Sequence, residues 1–265
     1  MRRMIRNLLL LYPRGGFKVT DVPQSEGDAL IWLYKQTGGP AWTDHTNWLV
    51  THTVGNWFGI TVVGGHVTVI DLNTNNLNGN IGAFPIPNLP SLGTLYLSGN
   101  ALLSGDMGSW WVSNLVYMTA HATGLSGDLS GWRPGSIVNL YMNGLAVSGD
   151  TSGWVLPWWT AILQFSDTNL SGTPDISGNT NMSNYAFHDC ALTQANVDAI
   201  LLSVYTERMT FVVAAPVLNV GGTNAAPSGI YADEDPPVTG KGMAFELVTD
   251  PEAEGFNKWA ITFTA

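Results

Sequence analysis

The chain has 265 residues, 45% hydrophobic and 11% charged, too apolar for a disordered polymer and long enough for one large or two small domains. Ten Lys and Arg against twenty Asp and Glu give a net charge of −10, which opposes general binding to nucleic acid or anionic lipid. The single Cys190 excludes an internal disulfide and a cysteine-built zinc site, and no apolar run approaches the ~18 residues that a membrane helix needs.

Residues 1–20 read as a basic arm. Arg2, Arg3, Arg6, Arg14 and Lys18 precede the first carboxylate, Asp21, leaving five cations against twenty carboxylates, −15, for the remainder. Leu8 to Leu11 follow basic residues, but the run is short and meets Tyr12, Pro13 and Arg14 without a small-residue cleavage site, so no signal peptide is expected. The composition predicts a docking segment in which Arg2, Arg3, Arg6, Leu9, Leu10 and Arg14 are held by a protein subunit of a larger assembly. Folding back onto its own body is the alternative.

Residues 21–64 form the next unit. Ser25 followed by Asp28 predicts a capping-box-like helix start, with Ala29, Trp32, Leu33 and Gln36 on one face before Gly38 and Gly39 stop it. A tryptophan-rich stretch then leads to the first strand.

From Val67 a motif recurs. VTVIDLNTNNLNG is followed by LGTLYLSGNALLSG from Leu92, LVYMTAHATGLSG from Leu115, IVNLYMNGLAVSG from Ile137, TAILQFSDTNLSG from Thr160 and MSNYAFHDCALT from Met182. The starts lie 25, 23, 22, 23 and 22 residues apart, a period that predicts a solenoid over residues 65–228. Alternating apolar positions such as Ile70 and Leu72, or Leu95 and Leu97, predict a short parallel strand per coil, with an irregular convex side. Asn75 and Asn100 stand where a buried side chain can bond turn backbone, whereas later coils carry Thr123, Leu145, Thr168 and Cys190.

Thr193 opens a helix over 193–208 whose Val197, Ile200, Leu201 and Val204 share one face, and a last coil follows from Ala215. In 229–265 the apolar runs MAFELV and KWAITFTA predict a β-hairpin extension covering the last coil's edge.

The period and the LxxLxLxxNxLxG pattern resemble the leucine-rich-repeat family across residues 25–228. The tryptophan-rich segment GGPAWTDHTNWLVTHTVGNWFG is similar to the N-terminal cap of plant-type repeat receptors, without that cap's paired cysteines, and the NVGGTNAAPS end resembles cysteine-poor bacterial and phage-encoded members. The resemblance implies an α/β repeat solenoid with a helical N-cap and a non-enzymatic role in recognition. It also points to a place at an extracellular surface or in a virion.

The chemistry of the repeats favours binding. No HExxH, GxSxG, Walker or GxGxxG motif occurs, the five histidines have no metal-ligand spacing, and no cofactor is expected. Outward strand positions form columns on the concave side, one of them Asp71, Tyr96, Thr119, Tyr141, Gln164 and Ala186. Tyr96, Tyr117, Thr119, His121, Asn139, Tyr141, Asn143, Gln164 and His188 are the candidate binding residues, since tyrosines beside amides and imidazoles suit protein recognition; a plain solvated sheet face is the alternative.

Beyond the strands, SGDMGSW, SGDLSGW and SGDTSGW place Asp106, Asp128 and Asp150 in one ladder and Trp110, Trp132 and Trp154 in another. The aspartates cap turns or, as the sharper alternative, bind calcium in a stack ~5 Å apart. The tryptophans fill the core or form an exposed stripe for a glycan of a cell-surface receptor, as in an adhesin.

Overall fold

The computed structural model describes residues 16–110, 112–250 and 254–265. Because each coil alternates apolar and polar residues, its strand has one side to bury, and the next coil buries it. β1 (Ile60–Val63) pairs antiparallel with β2 (His66–Asp71). From β2 onward all pairings in this nine-stranded sheet are parallel, through β4 (Thr94–Tyr96), β6 (Tyr117–Thr119), β8 (Asn139–Tyr141), β10 (Ile162–Gln164), β12 (Asn184–Ala186), β13 (Val217–Val220) and β14 (Ala260–Phe263). This is the solenoid of parallel strands that the period predicts.

The register aligns the core. Ile70, Leu95, Met118, Leu140, Leu163, Tyr185 and Leu218 are successive partners, all buried. Two residues on, Leu72, Leu97, Ala120, Met142, Phe165 and Phe187 form a second buried column. Each of these six donates its amide to a carbonyl of the following coil, Tyr96, Thr119, Tyr141, Gln164, Ala186 and Asn219 in turn, at 2.8–2.9 Å. The same residues therefore carry both the apolar and the hydrogen-bonded contact between coils.

The convex side is not irregular. β3 (Asn78–Asn80), β5 (Leu102–Asp106), β7 (Gly124–Asp128), β9 (Ala146–Asp150) and β11 (Asn169–Ser171) make a second, five-stranded parallel sheet. Its strands are GLSGD and its variants, whose alternation is too short and too poor in β-branched residues to register as strand in sequence. Glycine is what permits it: a Cβ on Gly127 or Gly149, both at positive φ, would strike the carboxylate of Asp106 or Asp128 in the preceding coil.

Buried polar side chains satisfy the turns at both ends. Asn100 Oδ1 accepts from the amides of Asn75 and Leu77, both at 3.0 Å, while its Nδ2 donates to Leu72 and Leu97 carbonyls. Asn224 repeats the arrangement in the last coil, accepting from Cys190 and Leu192 amides at 3.1 and 2.9 Å and donating to Phe187 and Val220. Between them Thr123 bonds its own turn, Thr168 bonds its own turn and meets Cys190 Sγ of the next coil at 3.5 Å, and Leu145 is apolar. The asparagine ladder thus occupies the first and last coils and is interrupted between them.

The N-terminal cap is a helix and an aromatic cluster. α1 (Gln24–Gln36) begins after Pro23 with no side-chain cap, so Ser25 lies inside the helix and is not its start. The buried face includes Leu30, Leu33 and Tyr34, and Gln36 is exposed, rotated from the predicted stripe. Rotation brings Glu26 inward, where its two oxygens meet His66 Nδ1 at 2.6 Å and the Val67 amide at 2.7 Å, tying the cap to the first repeat strand. Tyr34, Trp42, Trp48 and Trp57 pack in sequence with ring centres 4.8–5.5 Å apart. Residues 17–20 belong with this cap: Phe17 stacks on His52 at 4.8 Å and the Thr20 amide donates to the His52 carbonyl. Arg2, Arg3, Arg6, Leu9, Leu10 and Arg14 lie outside the described residues.

At the other end, α2 (Gln194–Thr206) is capped by Thr193 and buries the predicted Val197, Ile200, Leu201 and Val204. The predicted hairpin does not form. Its first run is a helix, α3 (Gly240–Thr249), capped by Thr239, because buried Met243, Ala244 and Leu247 recur at helical and not strand spacing. Its second run supplies β14, which extends the long sheet in parallel. Arg208, at the end of α2, closes this unit by a bidentate pair with Glu254 at 2.6 and 2.7 Å.

Leu140 is 1% exposed at the middle of the core column. Leu140→Asp places an unpaired charge there, and the expected result is loss of the folded protein, read as a vanished cooperative melt by circular dichroism. A normal melt would show that the register is wrong.

Candidate functional site

The residues between the core columns point to the open side of the long sheet. Asp71, Tyr96, Thr119, Tyr141, Gln164 and Ala186 are successive partners across six strands, so the predicted central column is in register. Ala186 is covered, which ends the exposed column at Gln164. Tyr117 pairs with Thr94 on one side and Asn139 on the other, so these three form the adjacent column.

Side-chain size sculpts this face into two hollows that share Tyr141. Thr119 is the small member between Tyr96 and Tyr141, and the hollow beside it, about 180 Å³, is lined by those residues with Asn73, Tyr117 and Asn139. The second, about 530 Å³, is shallower and is lined by His121, Asn143, Gln164 and Asp167. Hydrogen bonds fix the walls: Thr119 Oγ1 donates to Asn73 Oδ1 at 3.3 Å, Asn143 Nδ2 to Gln164 Oε1 at 3.0 Å, and Ser98 Oγ bonds His121 Nδ1 at 3.0 Å. His188 lines neither hollow; its Nδ1 sits 2.6 Å from Asp189 Oδ2. Sequence columns could find Asp71 and Asn73 but gave no reason to single them out, and Asp167 enters from a turn that no strand period marks.

Burial pushes the Tyr96 phenol above its ordinary range, helped by the charge of Asp71 and by Tyr117 and Tyr141. Burial alone does the same for Tyr141. Both remain neutral donors near neutral pH, and the face is a set of hydroxyls and amides with no Lys or Arg in its three outward columns from β2 to β12.

The aspartate ladder caps turns. Asp106, Asp128 and Asp150 each accept from the amide two residues on, Gly108, Ser130 and Ser152, at 2.8–2.9 Å. Asn80 and Asp175 do the same in the flanking coils. The expected in-register stack is absent because Asp106 pairs with Ser126, and Asp128 with Ser148, two residues short of the next aspartate. Among the described residues no three of His, Cys, Asp and Glu gather as a metal cluster.

The tryptophan ladder lies in the core. Trp110, Trp132 and Trp154 are 5%, 2% and 0% exposed, which removes them as a glycan-stacking stripe. Their indole nitrogens donate to carbonyls of the preceding coil, Gly82, Met107 and Leu129. Among the described residues the exposed tryptophans are Trp158 and Trp159, which the repeat pattern did not pick out.

No family model and no curated protein matches the sequence. Solved structures similar to this chain include the BIR2 ectodomain of Arabidopsis thaliana, 19% identical, covering 65% of this chain and 95% of that one at a TM-score of 0.46. A Pollen Receptor Kinase 3 structure is 20% identical over 63% of this chain and 83% of its own, at 0.47. The leucine-rich-repeat ectodomain of the receptor kinase SOBIR1 from Arabidopsis thaliana is 18% identical over 64% and 94%, also at 0.47. No described helix is long and apolar enough to cross a membrane.

The turn caps have a pH signature. The Ser130, Ser152 and Ser177 amides, followed by their hydroxyls, hold Asp128, Asp150 and Asp175 below the ordinary 3.8. A depressed folded pKa stabilises fully above the unfolded value and is lost as pH falls through the folded one, here below 3.8. Asp150→Ala is expected to lower Tm at pH 7, with the gap to wild type narrowing below pH 4. Asp150→Asn, which retains an acceptor as Asn80 does, is expected to melt closer to wild type. Equal melting of all three at pH 7 would remove the capping role.

Proposed function

We propose that the chain is a recognition module that holds a protein partner against the open face of its long sheet. The observation that carries this reading is the convergence of Tyr96, Tyr117 and Tyr141 from three neighbouring strands around one hollow that continues into a second. Tyrosine supplies contact area and a hydrogen bond at a cost of two side-chain torsions, which is why such residues anchor interfaces. The hollows are open and lined largely by hydroxyls and amides, and the serine of the Ser98–His121 contact on their wall is buried, so the face suits binding.

The finer reading is a component of a larger extracellular or virion assembly. Its support is the composition of residues 1–15, where an apolar cluster and four arginines precede an acidic body. A glycan partner has weaker support: with the tryptophan ladder buried, it rests, among the described residues, on Trp158 and Trp159.

Peptide-display selection against the immobilised full chain tests the recognition reading. Enriched peptides are expected to lose at least roughly 30-fold in affinity, about 2 kcal/mol, for a variant with Tyr96→Ala, Tyr117→Ala and Tyr141→Ala together. Its Tm is expected to stay near wild type, because the three side chains stand outside the core columns. A selection that enriches nothing, or peptides that bind the variant equally well, would overturn the reading.

A further inference from the structure

The hollow beside Thr119 has a chemistry more specific than a general contact surface. Neighbouring strands lie ~4.8 Å apart, so Tyr96 and Tyr141, one strand to either side of Thr119, have backbones ~9.6 Å apart with a gap between them. At about 180 Å³ the gap is below the ~300–1,000 Å³ of pockets that take a whole small molecule, and it matches one side chain. Tyr117 and Asn139, themselves partners in register, close the side of the hollow, and Thr119 is tied to Asn73.

The polar groups around this gap are hydroxyls and amides, each able to accept a hydrogen bond. Asn139 Oδ1 is shut off from solvent and has no hydrogen-bond partner among the described residues. Asp71, exposed and directly paired with Tyr96, sets a carboxylate one strand from the tyrosine and two from the gap, about one Debye length at physiological salt. No Lys or Arg stands in the outward columns between β2 and β12 to neutralise it. Aromatic rings add attraction for a cation over their faces.

The geometry points to a binding site for one arginine side chain of a protein partner, its guanidinium entering between Tyr96 and Tyr141 over Thr119. A guanidinium is planar, stacks on aromatic rings and carries five N–H donors, which suits a gap walled by tyrosines and asparagines on an acidic surface whose outward columns hold no Lys or Arg. A neutral apolar side chain would leave the hydroxyls and amides of the wall unpaired, and an acidic one would enter a surface that is already negative. This inference rests on the open face being a recognition surface, and it adds the chemistry of the partner's anchoring residue.

The test uses the full chain with two defined probes, a hexa-arginine peptide and a hexa-citrulline peptide of the same shape without charge. The arginine peptide is expected to bind at least ten times more tightly than the citrulline one. Binding is expected to fall at least tenfold in Tyr141→Ala and in Thr119→Trp, which fills the gap without removing a wall, and several-fold in Asp71→Asn. Both peptides binding alike would overturn the arginine assignment. So would arginine-peptide binding unchanged in Thr119→Trp with an unaltered melt, since that marks attraction to the acidic surface at large. If displayed peptides without arginine still depend on the tyrosines, the recognition reading stands and this inference falls; if no peptide depends on them, both fall.

Discussion

Each coil of this protein hands its polar backbone to the next. The amides of Leu72, Leu97, Ala120, Met142, Phe165 and Phe187 are all buried with their side chains, and each finds its acceptor one coil further on. A buried amide without a partner costs roughly 1–3 kcal/mol, so a coil cannot stand unless its neighbour is in place and in register. Everything else follows from that dependence. At the N-terminal end Glu26 of the cap accepts the Val67 amide, and near the C-terminal end Asn224 accepts from Cys190 and Leu192 of the preceding coil, as Asn100 accepts from Asn75 and Leu77.

The same register lays the outward residues in straight rows, and this is how a short irregular motif becomes a surface. Thr119 matters because Tyr96 and Tyr141 are its partners on either side. A shift of one residue in any pairing would bury the tyrosines and expose leucine. Fold and candidate site are therefore one constraint seen from two sides of the sheet.

Much of this was legible in sequence. The period from Val67 to Met182 marked six coils and the phase of the core, because a two-residue alternation repeated at fixed spacing has one consistent assignment of sides. Val197, Ile200, Leu201 and Val204 likewise announced the face of α2. Features that depend on partners far apart in the chain were not legible. Glu26 looks like a surface carboxylate until His66 and Val67 are brought to it, and Asn224 stands 34 residues from Cys190, outside the regular period, because α2 intervenes. The second sheet was hidden by its glycines, and the run at Met243 was mistaken for strand because an apolar stretch of that length satisfies either period. On the open face the columns were readable, but the hollow was not, since it arises from one small residue between two large ones on different strands.

The central claim is that the coils are mutually dependent, and native-state hydrogen exchange tests it most directly. The amides of Leu97, Ala120, Met142, Phe165 and Phe187, each bonded to the following coil, are followed in wild type and in Met142→Ala. A buried Met-to-Ala change costs roughly 2–5 kcal/mol, enough to move rates by a factor of about 30 or more. Mutual dependence predicts that all five amides speed up by the same factor. Acceleration confined to Met142 and its immediate neighbours, with Leu97 and Phe187 unchanged, would contradict it.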